Sequence, residues 1–197
     1  MLIAGLTGNF GMGKSSVLSI FKKLGARTIE SDRIVNSLLK EKHIIREVRK
    51  IFGDAVFEGK KGLNKKKIGE RIFSNRRERR RLEKLLHPLV IKRVNRYFRN
   101  MEKRNGILIV EVPLLFEGGY EDLFEKVITV YTTQKTALER LRQDGFSRNE
   151  ALARLRAQMP ARTKKKLSDY IIDNNGSRAG TARQVKKIYS LLLKEIQ

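Results

Sequence analysis

The chain of 197 residues has no cysteine and no tryptophan, and only 3 prolines and 2 histidines. Without cysteine there is no disulfide scaffold, no Cys-based zinc site and no thiol nucleophile. The composition suits a reducing cytoplasm. No Pro-rich or low-complexity stretch is present, so no flexible hinge between domains is signalled. No apolar run approaches the ~20 residues that cross a bilayer. The opening segment Met1–Lys14 turns to glycine at Gly5 and lacks the basic start and cleavage site of a secretion signal. A cytoplasmic protein is therefore expected. Acidic residues are also scarce. There are 21 Asp+Glu against 44 Lys+Arg, a formal net charge of +23. A chain this basic should meet something anionic.

What is present is enough for a globular protein. The hydrophobic fraction is 40% with 9 Phe, so a core can form and wholesale disorder is excluded. The length favours one domain, with room for a sub-domain. The positive charge is unevenly placed. Residues 1–59 carry 10 basic and 6 acidic residues, and residues 60–104 carry 18 and 4. Residues 105–134 carry 1 and 5, residues 135–166 carry 10 and 3, and residues 167–197 carry 5 and 3. Two blocks, +14 and +7, thus hold +21 of the +23. They read as two basic surfaces, or as solvated helix faces.

Short apolar runs predict strands at Leu2–Leu6, Ile107–Val112, Val127–Tyr131 and Tyr170–Asp173, and Arg27–Glu30 is a short strand candidate. Helical spacing predicts Lys14–Leu24, Arg33–Lys40, Gln134–Gln143, Arg148–Gln158 and Arg178–Ile196. Ser31 and Asp32 offer N-caps for the second of these. Helical patterns fill the region to about Arg104, broken near Gly53–Leu63. His87-Pro88 reads as the start of a helix over Leu89–Arg104, because proline suits the first helical position. Short unalternating strands separated by helices predict an α/β fold with a parallel sheet covered on both faces. The helical stretch 33–104 reads as an insertion carrying substrate contacts.

The motif Gly8-Asn9-Phe10-Gly11-Met12-Gly13-Lys14-Ser15 matches G-x-x-x-x-G-K-[ST] in full, between a predicted strand and a predicted helix. Glycines let the backbone turn its N–H groups toward phosphate oxygens. The helix N-terminus adds partial positive charge. Lys14 can reach the β- and γ-phosphates, and the Ser15 hydroxyl can ligate Mg²⁺. Nucleoside triphosphate binding follows, but the acceptor of the phosphoryl group does not.

Asp32 lies just past the second strand, at the sheet edge where parallel α/β folds bind ligands. It could accept a proton from an attacking hydroxyl, hold Mg²⁺ through water, or cap its helix. Glu111, at the end of the third strand, and Glu117 could touch metal-bound water or the acceptor, or be surface carboxylates. His87 could contact substrate or cap. Arg140, Arg142, Arg148, Arg154, Arg156 and Arg162 crowd the second basic block. Arginine suits phosphate bridging, because its planar fork is always charged.

These segments occur in an order that resembles the dephospho-CoA kinase family over nearly the whole chain. The resemblance rests on Leu6-Thr7-Gly8 through Lys14-Ser15, Leu24-Gly25-Ala26, Ser31-Asp32 and His87-Pro88-Leu89-Val90. It continues through Val112-Pro113-Leu114-Leu115-Phe116-Glu117, Leu138-Glu139-Arg140-Leu141, Ala157-Gln158-Met159-Pro160 and Ile172-Asp173-Asn174-Asn175-Gly176. It implies a P-loop kinase with a three-layer core, about 1–32, 105–134 and 167–197. A helical CoA-binding region (about 33–104) and a lid (about 135–166) complete it.

The implied reaction transfers phosphate from ATP to the ribose 3′-hydroxyl of dephospho-CoA, the last step of coenzyme A synthesis. By motif position Asp32 is the general base, Arg140 a lid arginine, and Asn174 a residue near the adenine. Lys14 is catalytic. Gly8 through Ser16 bind ATP, with Ser15 on Mg²⁺, and His87, Glu117 and Arg154 serve the substrates. The expected partners are ATP and dephospho-CoA, without a membrane, with nucleic acid at most weak and non-specific, for a monomer or weak homo-oligomer. Four positions depart from the family pattern. Glu30 stands for the first acid of an Asp-x-Asp pair, and Asn36 for an arginine four residues past the base. Ser16 replaces a threonine, and Asp144 stands where a second lid arginine falls, so that Arg142 could substitute from a shifted register.

Overall fold

The computed structural model describes residues 1–59, 62–99 and 106–196. Five strands form one wholly parallel sheet: β1 (Leu2–Thr7), β2 (Arg27–Glu30), β3 (Ile107–Glu111), β4 (Lys126–Tyr131) and β5 (Tyr170–Asp173), in the order β2-β3-β1-β4-β5. The predicted strands are all present, with ends shifted by at most one residue.

The side chains explain the layering. Leu2, Ala4 and Leu6 of β1 join Ile107, Ile109, Ile128, Val130 and Ile172 in one core. Two helices supply its other half: α1 (Lys14–Lys23) through Val17, Leu18 and Phe21, and a C-terminal helix (Arg178–Lys194) through Val185, Ile188 and Leu192. The opposite sheet face carries a second cluster of Leu115, Phe116 and Val127, with Val112, Phe124 and Met159 packed against it. Burial on both faces is why the inner strands β1, β3 and β4 read as continuous apolar runs.

The chain divides into two compact units, Met1–Glu30 with Lys103–Gln197, and Ser31–Glu102. The second is helical: α2 (Ser31–Leu38), α3 (Lys42–Phe52), α4 (Lys65–Ser74) and α5 (Arg76–Arg99), with a one-turn 3₁₀ segment at Gly53–Val56. Its interior holds Ile34, Leu38, Ile44, Val48, Phe52, Val56, Ile68, Leu82 and Leu86.

Three helix expectations need correction. The helix expected to begin at His87-Pro88 begins at Arg76, capped by the Asn75 side chain, which accepts from the N–H groups of Arg77 and Glu78 at 3.0 and 3.1 Å. Pro88 lies inside it. At this exposed position water can satisfy the carbonyl four residues back, which lost its donor. Ser31 and Asp32 are the first two residues of α2 rather than its cap. The second basic block folds as three helices, not two: α6 (Gln134–Gln143), α7 (Arg148–Arg156) and α8 (Ala161–Leu167), followed after β5 by α9 (Arg178–Lys194). Thr133, Ser147 and Ser177 cap α6, α7 and α9 with their side-chain oxygens. Pro160 precedes α8 and ends the preceding turn.

Candidate active site

The strand order reverses direction at β1, which has β3 on one side and β4 on the other. Ligands of open parallel sheets bind at such a point, beyond the strands' carboxyl ends. The glycine motif starts there. Gly8 has φ 147° and a Cβ on it would overlap the Val130 carbonyl of β4. Gly13 has φ 83° in the left-handed region and immediately precedes α1. No side chain caps α1 and its first turn has no acid. A helix start with no capping side chain and no acid is suited to an anion. Lys14 is buried at the helix start with Nζ 3.3 Å from the Asn9 carbonyl. Ser15 and Ser16 are exposed in the first turn.

The far end of the sheet braces this loop. The buried Asn174, just past β5, donates from Nδ2 to the Met12 carbonyl at 2.9 Å, and its Oδ1 accepts from Thr181 Oγ1 at 2.9 Å. One donor and one acceptor of its amide are thus engaged by protein partners. Arg140 of α6 donates from Nη2 to the Asn174 carbonyl at 2.7 Å. Its Nη1 is buried without a hydrogen-bond partner, and would lie 3.3 Å from a Cβ built on Gly13. A buried guanidinium nitrogen with an open valence beside a phosphate loop has the chemistry of a phosphate donor. Arg142 is exposed and, two residues on, lies about 200° around the helix from Arg140, so it is not brought to the loop. Asp144 ends α6 in an exposed turn.

The segment 157–160 between α7 and α8 lies on the other side of the loop. The Gln158 Oε1 accepts from the Phe10 N–H at 2.8 Å, and the Met159 carbonyl accepts from Asn9 Nδ2 at 3.0 Å. Glu117 does not face outward to a metal or acceptor through Oε1. That oxygen accepts from the Met159 N–H at 2.8 Å and pairs with Lys164 Nζ at 2.9 Å. Lys164 is wholly enclosed, and burial pushes its ammonium below the ordinary lysine pKa while Glu117 pulls it back up. Arg154 of α7 stacks over the Phe10 ring at 4.8 Å and the Phe146 ring at 4.7 Å, while those two rings meet edge-to-face at 5.1 Å. Such cation–π contacts hold α7 by ~0.5–1 kcal/mol each.

Acidic residues end strands β2 and β3. Glu111 ends β3, buried, in register with Leu6 of β1 and Glu30 of β2. Asp32 follows Glu30 by two residues, in the first turn of α2. His87 lies half-buried on α5, where burial holds its imidazole below the ordinary pKa against the opposing pull of Glu83. Among the described residues no group of three or more His, Asp or Glu could hold a metal ion. Mg²⁺ takes one or two protein oxygens plus substrate phosphates rather than an all-protein cage. The exposed Ser15 hydroxyl at the uncapped start of α1 is a hard oxygen of the required kind.

Lys164 and Thr181 were missed as site residues. Lys164 is one of three consecutive lysines, and nothing in the chain marks it as the enclosed one.

The chain is similar to known proteins over nearly its whole length. Residues 2–180 match the dephospho-CoA kinase family. A dephospho-CoA kinase of Aquifex aeolicus is 34% identical over 192 residues, 97% of each chain. One of Carboxydothermus hydrogenoformans is 37% identical over 190 residues, 94% of this chain and 92% of the relative. The solved dephospho-CoA kinase from Campylobacter jejuni has a TM-score of 0.71 at 30% identity, covering 99% of this chain and 98% of the other. A shikimate kinase from Acinetobacter baumannii shares the fold, with a TM-score of 0.51 at 17% identity over 99% of this chain and 94% of the other. A parallel P-loop kinase sheet, an intact phosphate loop and a full-length match lead to one conclusion: the chain belongs to the dephospho-CoA kinase family.

Proposed function

We propose that the chain phosphorylates the ribose 3′-hydroxyl of dephospho-CoA with ATP, giving coenzyme A and ADP. The observation that carries the reading is the braced phosphate loop: Gly8–Ser15 leads into an uncapped α1, with the spare Nη1 of Arg140 buried beside Gly13. Together with family membership, it supports ATP as donor and dephospho-CoA as acceptor.

The phosphoryl-transfer transition state spreads charge over the γ-phosphate oxygens, so positioning and positive charge supply most of the catalysis. Backbone N–H groups of the loop and the ammonium of Lys14 hold the phosphates. Arg140 adds its spare Nη1 as a donor to the phosphates, while Nη2 stays on the Asn174 carbonyl. The Ser15 hydroxyl would hold Mg²⁺, which would neutralise phosphate charge. Asp32 accepts the proton of the 3′-hydroxyl as the new O–P bond forms and the bond from Pγ to the β–γ bridging oxygen breaks. His87 contributes on the acceptor side from α5. Residues 31–102 serve as the CoA-binding region and residues 135–166 as the lid. Asn174 acts as a brace of the loop rather than a contact of the adenine.

Incubation with ATP, Mg²⁺ and dephospho-CoA should yield coenzyme A. Asp32→Asn should retain ATP binding while turnover collapses. A nucleoside or nucleotide accepted in preference to dephospho-CoA would overturn the assignment.

A further inference from the structure

The ion pair between Glu117 and Lys164 holds the most deeply enclosed charge among the described residues. Lys164 Nζ is fully buried and meets Glu117 Oε1 at 2.9 Å and the Pro113 carbonyl at 2.9 Å. A buried pair is poor value for stability, since desolvation offsets much of the attraction; its best-attested use is to fix a geometry. The geometry here ends at the phosphate loop. Glu117 Oε1 also grips the Met159 N–H at 2.8 Å, and the carbonyl of the same Met159 receives Asn9 Nδ2 at 3.0 Å. One residue earlier, Gln158 Oε1 receives the Phe10 N–H at 2.8 Å. On the other side, the Pro113 carbonyl that Lys164 holds also accepts from Thr7 Oγ1 at 3.2 Å, one residue before Gly8.

We propose that Glu117 and Lys164 are positioning residues for the triphosphate site, their buried pair fixing segment 157–160 so that Gln158 and Met159 hold Asn9 and Phe10 of the phosphate loop in place. The pair touches neither substrate. It acts through the loop, so its loss should fall on ATP and not on dephospho-CoA. This rests on ATP occupying the loop, and the wild-type assay tests that separately. A wild type that makes no coenzyme A refutes the functional reading, whereas an active wild type with insensitive variants refutes the inference.

The test is steady-state kinetics on the full chain with each substrate varied in turn, for Gln158→Ala, Glu117→Gln, Lys164→Met and the double variant Glu117→Gln/Gln158→Ala. Gln158→Ala removes one loop hydrogen bond, and its ATP KM should rise about fivefold. Glu117→Gln and Lys164→Met should do the same, with kcat and dephospho-CoA KM within about twofold. If Glu117 acts through Gln158 and Met159, the double variant should fall short of the product of its parents' effects. Melting curves establish which variants fold. Gln158 lies outside the buried pair, so Gln158→Ala decides the matter even if both charge variants unfold. An unchanged ATP KM in Gln158→Ala overturns the proposal. So do multiplying effects in the double variant, or equal losses for both substrates.

Discussion

The role of Asn174 can be tested by truncation to alanine, because the two readings of this residue predict different observables. As a brace, its amide matters before any nucleotide arrives. Asn174→Ala strips the Met12 carbonyl, in a residue only 4% exposed, of its Nδ2 donor at 2.9 Å. A buried carbonyl left without a donor costs about 1–3 kcal/mol. The Thr181 hydroxyl loses its Asn174 acceptor but can still donate to the Ser177 carbonyl at 3.3 Å, so it adds little. The small void left at a position 8% exposed adds about 1 kcal/mol. The total is about 2–4 kcal/mol. For a chain of this size each kcal/mol moves Tm by about 2–4 °C, so calorimetry of the nucleotide-free protein should show a fall of about 4–16 °C. Loosening Met12 also disturbs the loop, so the ATP KM should rise in the same variant. As a nucleotide contact alone, Asn174 would leave the free protein's Tm unchanged and raise only the ATP KM. A drop of less than about 2 °C in the free protein would refute the brace.

Two further expectations follow from charge. Burial holds the His87 imidazole below its ordinary pKa of about 6.5, so the unfolded chain binds more protons and stability falls as pH drops from about 6.5 toward the folded value. Melting between pH 8 and 5 should show this slope, and His87→Gln should flatten it; an unchanged slope would remove His87 as its source. The +14 block of residues 60–104 should bind an RNA oligonucleotide loosely in anisotropy at ~50 mM salt and release it by ~200 mM. Sequence preference that survives high salt would instead point to a dedicated nucleic-acid function.

The parts of the site that could be read from the chain are those where neighbours in sequence are neighbours in space. The phosphate loop is one: strand, glycines, lysine and helix follow within fourteen residues, and the backbone angles at Gly8 and Gly13 demand glycine. Strands β3 at Ile107–Glu111 and β5 at Tyr170–Asp173 are legible for a similar reason, as short apolar runs bounded by turn residues. His87-Pro88 misled because proline suits a first helical turn and also an exposed interior position. The stronger start was the Asn75 side chain, which binds two N–H groups. What could not be read are the partnerships across the fold. Asn174 reaches Met12 across 162 positions, and Glu117 reaches Met159 across 42. No local pattern selects Lys164 from its two lysine neighbours, since only the packed structure encloses it.

The charge surplus has the same origin. In the unit Ser31–Glu102, Glu41, Glu47, Asp54, Glu78 and Glu83 are each tied to a basic partner, through Arg93, Lys50, Arg49, Arg71 and Arg79. Lys65, Lys66, Arg76, Arg77, Arg80 and Lys84 remain exposed, and Arg76, Arg80 and Lys84 repeat at spacings of four along α5. Like charges at that spacing destabilise a helix by a few tenths of a kcal/mol per pair. ATP and dephospho-CoA together carry too few negative charges to offset them all, so most of this positive charge is carried against the helix's own stability and outside the phosphoryl transfer. A readout of catalysis should therefore be insensitive to neutralising Arg76, Arg80 and Lys84, while helix stability should rise. If turnover falls instead, that row belongs to the acceptor site.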